Sequence, residues 1–480
     1  MTTLDTDLLV AGGGMSGVCA AIAAARNGAR VVLVQNRSML GGNASSEVRM
    51  HMVGADAHDQ KPGARETGLI EELRLEDSAR NPQRSYALWD LLLYEKVSAE
   101  PNITLLLDTD VIAAEVEILE PERGRPADPA AAMKLPGTRR RITAARAVRQ
   151  STEDEFLIRA KFFADCTGDG RLGFEAGADF TEGREGSLEF DEPLARPVRD
   201  RERLGSSIMF MAHDHGRPMP FRTPDWVRKF SKKDFQGHRE VFSYEYGYWW
   251  FEWGGQLDTI KDDEAIRREC WRIALGVWDY VKNSGDHPGS AHWAIDWVAP
   301  ITGKRESRRF LGPVIVTQQD VLNPAARPDA VAYGGWPMDL HPPSGVDATP
   351  EPSCTQHWFP HLFSIPYGAY HSRNVENLFL AGRNISATHV AFAATRVMAT
   401  CAVGGQAIGT AVALLIDAGK KACAEADLPA LRRQLAKDDA FLPGYQNDDP
   451  DALARRAIVS ASSASPGGAA GSVTDGLARD

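Results

Sequence analysis

The sequence predicts an α/β protein in which a Rossmann-like, three-layer ββα domain is interrupted by an inserted α+β domain. An apolar run at 5–11 leads into three glycines, an alanine-rich stretch follows from Ser16 to Asn27, and a β-branched apolar run occupies 30–34. This is a strand–helix–strand unit, and its second strand has the continuous apolar character of an interior parallel strand. The strand pattern returns at 377–382, after a segment rich in aromatic residues and proline.

These changes in composition define the predicted domains. Residues 1–180 and 376–420 form a discontinuous nucleotide-binding domain, 181–375 a substrate or cap domain, 421–459 a C-terminal helical segment, and 460–480 a disordered tail rich in Ser, Ala and Gly. Apolar spacing within the first domain predicts further elements, namely helices over 64–100, strands at 103–107, 111–116 and 155–164, and a surface hairpin or loop at 119–139.

Charge and cysteine content exclude several classes of protein. The 54 basic and 65 acidic residues give a net charge of −11, which disfavours nucleic acids and anionic membranes as partners. The six cysteines are scattered without a CxxC pair, so a redox dithiol, a zinc knuckle or a disulfide scaffold is not expected. The N-terminus lacks the basic segment of a signal peptide, and the apolar stretch at 397–415 contains Gly404, Gly405 and Gln406. We therefore expect a cytoplasmic protein with a buried helix there, and the oligomeric state, including a homo-oligomer, stays open.

The first glycine cluster has the spacing Gly12-x-Gly14-x-x-Gly17 between a strand and a helix. The first glycine permits a tight turn, the second lets the backbone approach a pyrophosphate, and the third lets the helix pack on the strand. The helix N-terminus, with Ser16 in its first turn, then faces the phosphates. The alternative is a glycine-rich turn without a ligand.

The residues after the second strand narrow the choice of nucleotide. Gln35, followed by Asn36 and Arg37, stands where an acidic residue usually binds the ribose, and its amide can still hydrogen-bond hydroxyl groups. A second glycine pair, Gly41-Gly42, precedes the small polar residues Asn43, Ala44 and Ser45. Many FAD enzymes place such a loop beside the pyrophosphate and ribityl chain; a plain turn is the alternative.

At this point the sequence resembles the FAD-dependent oxidoreductases of the glutathione-reductase-like superfamily, particularly a bacterial branch. The motifs that carry this resemblance are 41–49 (GGNASSEVR), 81–84 (NPQR), 88–92 (LWDLL), 302–309 (TGKRESRR), 332–337 (AYGGWP) and 377–389 (NLFLAGRNISATH). The resemblance runs along nearly all of residues 5–415. It implies bound FAD and oxidoreductase activity.

The resemblance also implies roles for individual residues. Gly12, Gly14 and Gly17 would hold the pyrophosphate, Gln35 and Arg37 the adenosine ribose, Gly42 and Asn43 the ribityl side, and Val111 the adenine. Thr167-Gly168-Asp169 matches the turn that carries the chain past the cofactor, and Gly382 would approach the ribityl phosphate. Arg383-Asn384 stands where the superfamily often has an acidic residue, and the helix beginning near Arg396 would direct its positive end at the flavin O2. The full predicted cofactor set is Gly12, Gly14, Ser16, Gly17, Gln35, Asn36, Arg37, Gly41, Gly42, Asn43, Ser45, Val111, Thr167, Gly168, Asp169, Gly382, Arg383, Asn384 and Arg396.

Candidates for proton transfer or polarisation of the substrate are His389, Arg305, His51 and His357, with Arg396 as a further cation. His389 is the first choice, because it lies between the flavin-binding glycine and the terminal helix; a structural histidine is the alternative. Arg305 lies in a charged run and could instead be ion-paired or solvated. No metal site is predicted, since His213 and His215 lack a third ligand at recognisable spacing.

The densest aromatic stretch is 244–253, which alternation predicts as a strand that either packs in the cap or lines a pocket suited to sugar rings. We expect an enzyme that transfers a hydride between flavin N5 and a small organic substrate, with a sugar derivative as one candidate. Oxygen or a separate carrier would close the cycle. The alternatives are reduction of an activated double bond, as in fumarate-reductase-like proteins, and a non-catalytic flavin-binding scaffold.

Overall fold

A seven-stranded sheet forms the centre of the nucleotide-binding part of this computed structural model, which describes residues 1–56, 64–121, 129–447, 457–463 and 469–473. Its strands are β1 (Thr2–Ala11), β2 (Val31–Val34), β3 (Ile103–Leu106), β4 (Thr109–Ile118), β5 (Arg140–Arg149), β6 (Asp154–Asp165) and, from late in the chain, β17 (Leu378–Leu380). The order is β3-β2-β1-β6-β5-β4, and β17 pairs with β6. The pairs β3–β2, β2–β1, β1–β6 and β6–β17 are parallel, as predicted for a Rossmann-like domain. The pair β4–β5 is antiparallel.

Helices occur in both the nucleotide-binding part and the inserted part. The described helices are α1 (Met15–Arg26), α2 (Leu69–Arg80), α3 (Tyr86–Ser98), α4 (Pro129–Lys134), α5 (Arg171–Glu175), α6 (Ser187–Phe190), α7 (Asp263–Asn283), α8 (Gln318–Leu322), α9 (His389–Thr395), α10 (Met398–Asp417) and α11 (Leu428–Lys437). α1 and α10 pack closely because α10 carries glycine at the contact: a Cβ on Gly405 would lie 2.1 Å from Ser16 O, and one on Gly409 2.2 Å from Ala20 O. This contact places the middle of α10 beside the first half of α1.

The inserted part is α+β. Its strands are β7 (Phe180–Thr181), β8 (Ser206–Ser207), β9 (Phe210–Asp214), β10 (Glu252–Trp253), β11 (Trp293–Val298), β12 (Arg309–Phe310), β13 (Ala330–Gly334), β14 (Met338–Leu340), β15 (Thr355–His357) and β16 (Phe363–Pro366). They form two-stranded antiparallel pairs, and the long helix α7 packs against β8 and β10. The separate core of this part contains Phe210, Phe251, Trp278 and other apolar side chains.

The prediction of a strand over 244–253 is wrong, because β10 covers its last two residues alone. Tyr248 and Trp250 stack at 5.3 Å and are buried in the cap core, so packing around α7 decides the backbone here rather than alternation. The intervening Trp249 points elsewhere and lines the main cavity described below.

Other predicted elements differ in their bounds. The helical region 64–100 contains two helices, separated where Asn81 exchanges side-chain hydrogen bonds with the backbone of Ser85. The predicted loop at 119–139 contains α4, and residues 122–128 of it lie outside the described part. The helix expected to begin near Arg396 begins at Met398, after a separate helix that ends at Thr395.

The predictions for the end of the chain are only partly covered. α11 is the helix described within 421–447 and 457–459, and residues 448–456 lie outside the described part. Of 460–480, residues 464–468 and 474–480 likewise lie outside it. Within the described residues, α10 is long and apolar enough to cross a membrane, but 83% of its apolar window is buried inside the protein, as in a core helix.

Candidate active site

A cavity of about 790 Å³ lies where the carboxyl ends of the parallel strands face the inserted domain. The wall on the sheet side includes Gly12, Gly14, Met15, Ser16, Val34, Gln35, Asn36, Arg37, Gly41, Gly42, Asn43, Val111, Cys166, Thr167, Gly168, Asp169, Gly382, Arg383, Arg396, Val397, Met398 and Cys401. The wall on the cap side includes Met209, Phe242, Tyr246, Trp249, Lys261, Asp263, Thr302, Gly303, Lys304, Arg305, Arg308, Trp336, Asp339, His341, Cys354 and Gln356.

The first glycine cluster forms an open cradle at the start of α1. Gly12 has φ 101°, and a Cβ there would lie 2.3 Å from Cys166 O; a Cβ on Gly17 would lie 1.9 Å from Gly12 O. A Cβ on Gly14 would meet no protein atom within 4 Å, because this position faces the cavity. Gly14 is also the N-cap of α1, so no side chain accepts hydrogen bonds from the first amides of the helix. These amides are therefore available to an anion, as the cradle of a pyrophosphate requires.

Gln35 braces the cradle rather than leaving its amide free. Its Oε1 accepts a hydrogen bond from Gly13 N at 2.8 Å, and its Nε2 donates to Met39 O at 2.9 Å. The side chain borders the cavity but is 4% exposed. Both hydrogen bonds of Gln35 therefore support the cradle, whereas the sequence predicted that this side chain would bind the ribose.

The second glycine pair joins the cradle directly. Gly41 N donates to Gly13 O at 2.8 Å, and a Cβ on Gly42 would lie 3.2 Å from Gly14 Cα. Asn43 Nδ2 donates to Lys304 O at 2.9 Å and so links this loop to the cap wall. Ser45, a predicted cofactor contact, is fully buried and donates to Gly42 O, so it supports the loop and does not line the cavity.

A charged cluster stands beside the cradle. Asp169 contacts Lys304 Nζ at 2.8 Å and Arg383 Nη2 at 2.5 Å, and Ser307 Oγ donates to it. Burial would raise the pKa of Asp169, but the two cations outweigh burial and hold that pKa well below its ordinary value. Arg383 Nε is buried without a hydrogen-bond partner among the described residues. An unsatisfied buried donor is costly, and a phosphate or ribityl oxygen would satisfy it.

The remaining predicted cofactor residues fall into two groups. Ser16, Asn36, Arg37, Val111, Thr167, Gly168, Gly382 and Arg396 line the cavity. Gly17 and Asn384 do not: Gly17 packs behind the cradle, and Asn384 is fully buried, with Nδ2 3.1 Å from Asp165 Oδ1. The open face of Gly14, the uncapped helix and the unsatisfied Arg383 together fit a dinucleotide such as FAD.

The start of α10 also reaches the cavity. Val397, Met398 and Cys401 line it, and Val397 is an N-cap without a side-chain hydrogen bond. The positive end of this helix therefore faces the cavity, although two residues later than the sequence predicts.

The structure brings two of the four predicted catalytic residues to the cavity. Arg305 lines it and is 8% exposed; its guanidinium donates to Ser207 Oγ at 2.7 Å and to Trp249 O at 2.9 Å. His51 lines it as well and packs edge-on against Tyr246 at 5.3 Å. The neighbour of His357, Gln356, lines the cavity, whereas His357 itself does not.

His389, the first choice from the sequence, lines a second cavity of about 400 Å³ instead. Its Nδ1 lies 3.0 Å from Glu306, and its backbone amide donates to Glu185. Both carboxylates also contact Arg309, which is fully buried. Position in the chain suggested proximity to the flavin, but the α9 N-terminus turns this side chain towards the buried ionic network.

A cluster on the cap wall was not predicted. His341 Nδ1 lies 2.5 Å from Glu252 Oε2, and its Nε2 lies 2.9 Å from Asp339 Oδ2. Arg396 Nη2 donates to the same Asp339 oxygen at 3.0 Å. Burial would lower the pKa of His341, but the two carboxylates outweigh it and raise that pKa. The alternation of Asp339 in β14 and His341 directly after this strand, just past the 332–337 motif, was the available signal.

Cys354 completes this cluster. Its Sγ and the ligand atoms of Asp339 and His341 all lie within 4.8 Å of one another. The guanidinium of Arg396 already stands against Asp339 and His341, so we do not interpret these residues as a metal site. Burial, with the neighbouring Asp339, raises the pKa of Cys354 to about 12, which keeps its thiol protonated.

Comparison with solved structures gives similarity over most of the chain at low identity. A geranylgeranyl bacteriochlorophyll reductase-like protein from Thermoplasma acidophilum is 13% identical over 91% of this chain and 83% of its own, with a TM-score of 0.38. The p-nitrophenol 4-monooxygenase of Pseudomonas putida is 13% identical over 87% and 82%, with a TM-score of 0.36. A quinol fumarate reductase variant from E. coli is 14% identical over 92% and 75%, with a TM-score of 0.33. The search of curated proteins finds no match.

A family comparison covers almost the whole chain. The profile described as FAD dependent oxidoreductase matches residues 7–435, which include both halves of the sheet, the inserted part and the cavity walls between them. The chain therefore belongs to the FAD dependent oxidoreductase family and is an enzyme that uses FAD.

Proposed function

We propose that this enzyme transfers a hydride between FAD and a small organic molecule that binds against the cap wall of the main cavity. The observation that carries the proposal is the continuity of this cavity, in which a nucleotide cradle and a wall of aromatic and charged side chains face the same space. When bound, FAD supplies a hydride acceptor or donor at N5 of its isoalloxazine ring.

The sheet wall would hold the cofactor. The α1 amides and the backbone at Gly14 and Gly42 suit the pyrophosphate, and Arg383 and Lys304 supply positive charge near it. The N-terminus of α10 would stabilise negative charge on a ring bound beside Val397 and Met398.

The cap wall would hold the substrate. Tyr246, Trp249 and Trp336 offer flat apolar surfaces, and Gln356 offers an amide. This combination suits a sugar derivative or another small polar molecule with a flat or apolar face. Arg305 on this wall and Arg396 on the facing sheet wall place positive charge in the cavity, where they would polarise a substrate oxygen.

An anaerobic screen tests this proposal. The purified FAD-loaded enzyme is mixed with single sugars, lactones and hydroxy acids, and the visible absorbance of the flavin is followed. We expect at least one class to bleach the flavin, and oxygen or an artificial carrier to restore the colour. Hydride exchange at this cavity would be contradicted if no compound bleached the flavin and none reoxidised the flavin after its reduction.

A second candidate function is the reduction of an activated double bond. The observation that favours it is the hydrogen bond that Arg396 Nη2 donates to Asp339 on the cavity wall, since a cation held by a titratable group can deliver a proton. Dithionite-reduced enzyme would then be reoxidised anaerobically by unsaturated acids but not by their saturated counterparts. Equal, negligible rates with both would remove this candidate.

A further inference from the structure

His341 occupies a position that the binding of cofactor does not explain. Its side chain is 2% exposed, yet the residue borders both the main cavity and the second cavity. Each ring nitrogen faces a carboxylate oxygen, Glu252 at Nδ1 and Asp339 at Nε2. Because a carboxylate accepts hydrogen bonds, both nitrogens must carry a proton, so the ring is an imidazolium.

The groups around His341 keep this arrangement in place. Arg396 Nη2 lies 3.0 Å from Asp339 Oδ2 and 3.2 Å from His341 Nε2, and Arg305 Nη1 lies 3.6 Å from Glu252. Trp249 packs edge-on against the ring at 5.5 Å, and the protonated Cys354 thiol completes the surroundings. The two arginines balance the two carboxylates, so the imidazolium can lose its proton without leaving an unpaired negative charge.

Asp339 connects the ring to the main cavity. It lines that cavity, and its Oδ2 accepts from His341 Nε2. The Cys354 thiol donates to the same carboxylate, whose Oδ1 is buried. Because Asp339 both borders the cavity and holds the ring Nε2, it can pass a proton between the ring and a bound molecule. Glu252 does not line either cavity and holds the other side of the ring.

We infer that His341 and Asp339 form the proton-exchange centre of the main cavity, with Glu252 as a positioning residue and the second cavity as the route to solvent. This inference rests on the hydride transfer proposed above and names the groups that handle its proton. In the reducing direction the hydride forms a substrate C–H bond, and the electron pair of the broken C=O or C=C bond moves to the far atom. Asp339, an ionised carboxylate, takes the Nε2 proton of His341 and passes it to that atom, so the carboxylate ends ionised as it began. The neutral ring recovers a proton through the second cavity. Oxidation reverses each transfer.

The charge state of His341 can be measured without any substrate. In FAD-loaded enzyme labelled with ¹⁵N-histidine, the signal that His341→Gln removes should show two protonated ring nitrogens above the ordinary His pKa of 6.5. Asp339→Asn and Glu252→Gln should each lower the pH of its titration by ~1–3 pH units, since each removes an opposite charge. His213→Gln, at an exposed histidine paired with Asp296, is the matched control and should leave the signal unchanged. A neutral His341 ring at pH 6.5 would overturn the inference.

The exchange with the cavity needs a second readout. The midpoint potential of the bound flavin, measured against pH with a reference dye, should change slope where His341 titrates, and Asp339→Asn should move that change to lower pH. A purely structural cluster would leave the dependence on pH identical in wild type and Asp339→Asn, and this result would refute the exchange centre even if His341→Gln fails to fold. Neither readout uses a substrate, so their failure is distinguishable from failure of the anaerobic screen.

Discussion

The two walls of the main cavity are built on different principles. The sheet wall consists largely of glycines, backbone amides and helix N-termini, contributed by short segments that follow β1, β2, β6 and β17. The cap wall consists of large side chains from irregular segments and short strands, among them Trp249, Trp336 and His341. The first wall is therefore set by main-chain geometry, and the second by which distant side chains the cap brings together.

The largest expected effect comes from filling the sheet wall. Gly14→Val places two methyl groups where a Cβ meets no protein atom, so the fold is retained while the pyrophosphate position is occupied. We expect FAD affinity to fall at least ~100-fold, about 2.7 kcal/mol, measured by fluorescence titration of the apoprotein. Gly471→Val, at an exposed glycine that also has open space, should keep full affinity. A yellow Gly14→Val protein with unchanged affinity would show that the cradle does not hold the cofactor.

This contrast explains how much could be predicted from the sequence. The cradle was found because the three glycines have fixed spacing between a strand and a helix, and the turn demands them wherever the rest of the chain lies. The family resemblance placed Gly42, Asn43, Gly168 and Gly382 beside the cofactor, and the structure has all four at the cavity.

Most residues of the cap wall were not predicted from the sequence, because this wall depends on contacts between side chains rather than on a local turn. Glu252 and Arg396 are far from His341 in sequence, and their contacts with it depend on packing that no local pattern encodes. His389 was preferred because it lies close in the chain to Gly382, but α9 directs it to Glu306. Proximity in sequence predicts backbone contacts well and side-chain contacts poorly.

The second prediction is that His389 contributes to stability and takes no part in the chemistry of the main cavity. His389→Ala leaves the fully buried Glu306 without one of its hydrogen-bond donors, so we expect a loss of about 1–3 kcal/mol in the free energy of unfolding. FAD affinity should stay within about twofold, since the residue lines the second cavity. Urea unfolding followed by fluorescence, together with flavin titration, measures both. His361→Ala, which removes a partly buried histidine bonded to Val321 O, is the control for histidine loss. Undiminished stability with impaired flavin reduction would restore His389 to the active site.

A smaller effect should follow from loosening the link between the two walls. Asn43→Ala removes the hydrogen bond from Nδ2 to Lys304 O, which joins the cofactor loop to the cap. We expect FAD affinity to fall by a few-fold to tenfold, because one hydrogen bond contributes about 0.5–1.5 kcal/mol. Asn27→Ala, at a helix end outside the cavity, is the matched asparagine control and should bind FAD normally. Equal affinity of Asn43→Ala and wild type would mean that the walls are coupled elsewhere.

The smallest effect lies far from both walls, at the opposite end of the sheet. Asp7 accepts hydrogen bonds from Arg30 Nε at 3.1 Å and from Lys161 Nζ at 2.9 Å. Burial opposes its ionisation, but these contacts prevail and lower its pKa from 3.8 to about 2. Because the folded pKa is depressed, the stabilisation is complete above the ordinary value and is lost as the pH falls from 3.8 towards 2.

Asp7→Asn should therefore cost up to ~1 kcal/mol at neutral pH, a modest value because Arg30 and Lys161 are largely exposed. The difference from wild type should shrink on acidification below pH 3.8, while FAD affinity at neutral pH stays unchanged. Asp5→Asn, at an exposed neighbour on the same strand, controls for the loss of one negative charge. Thermal unfolding of the three proteins between neutral pH and acid measures the difference, and a deficit in Asp7→Asn that stays constant with pH would show that the ion pairs do not account for it.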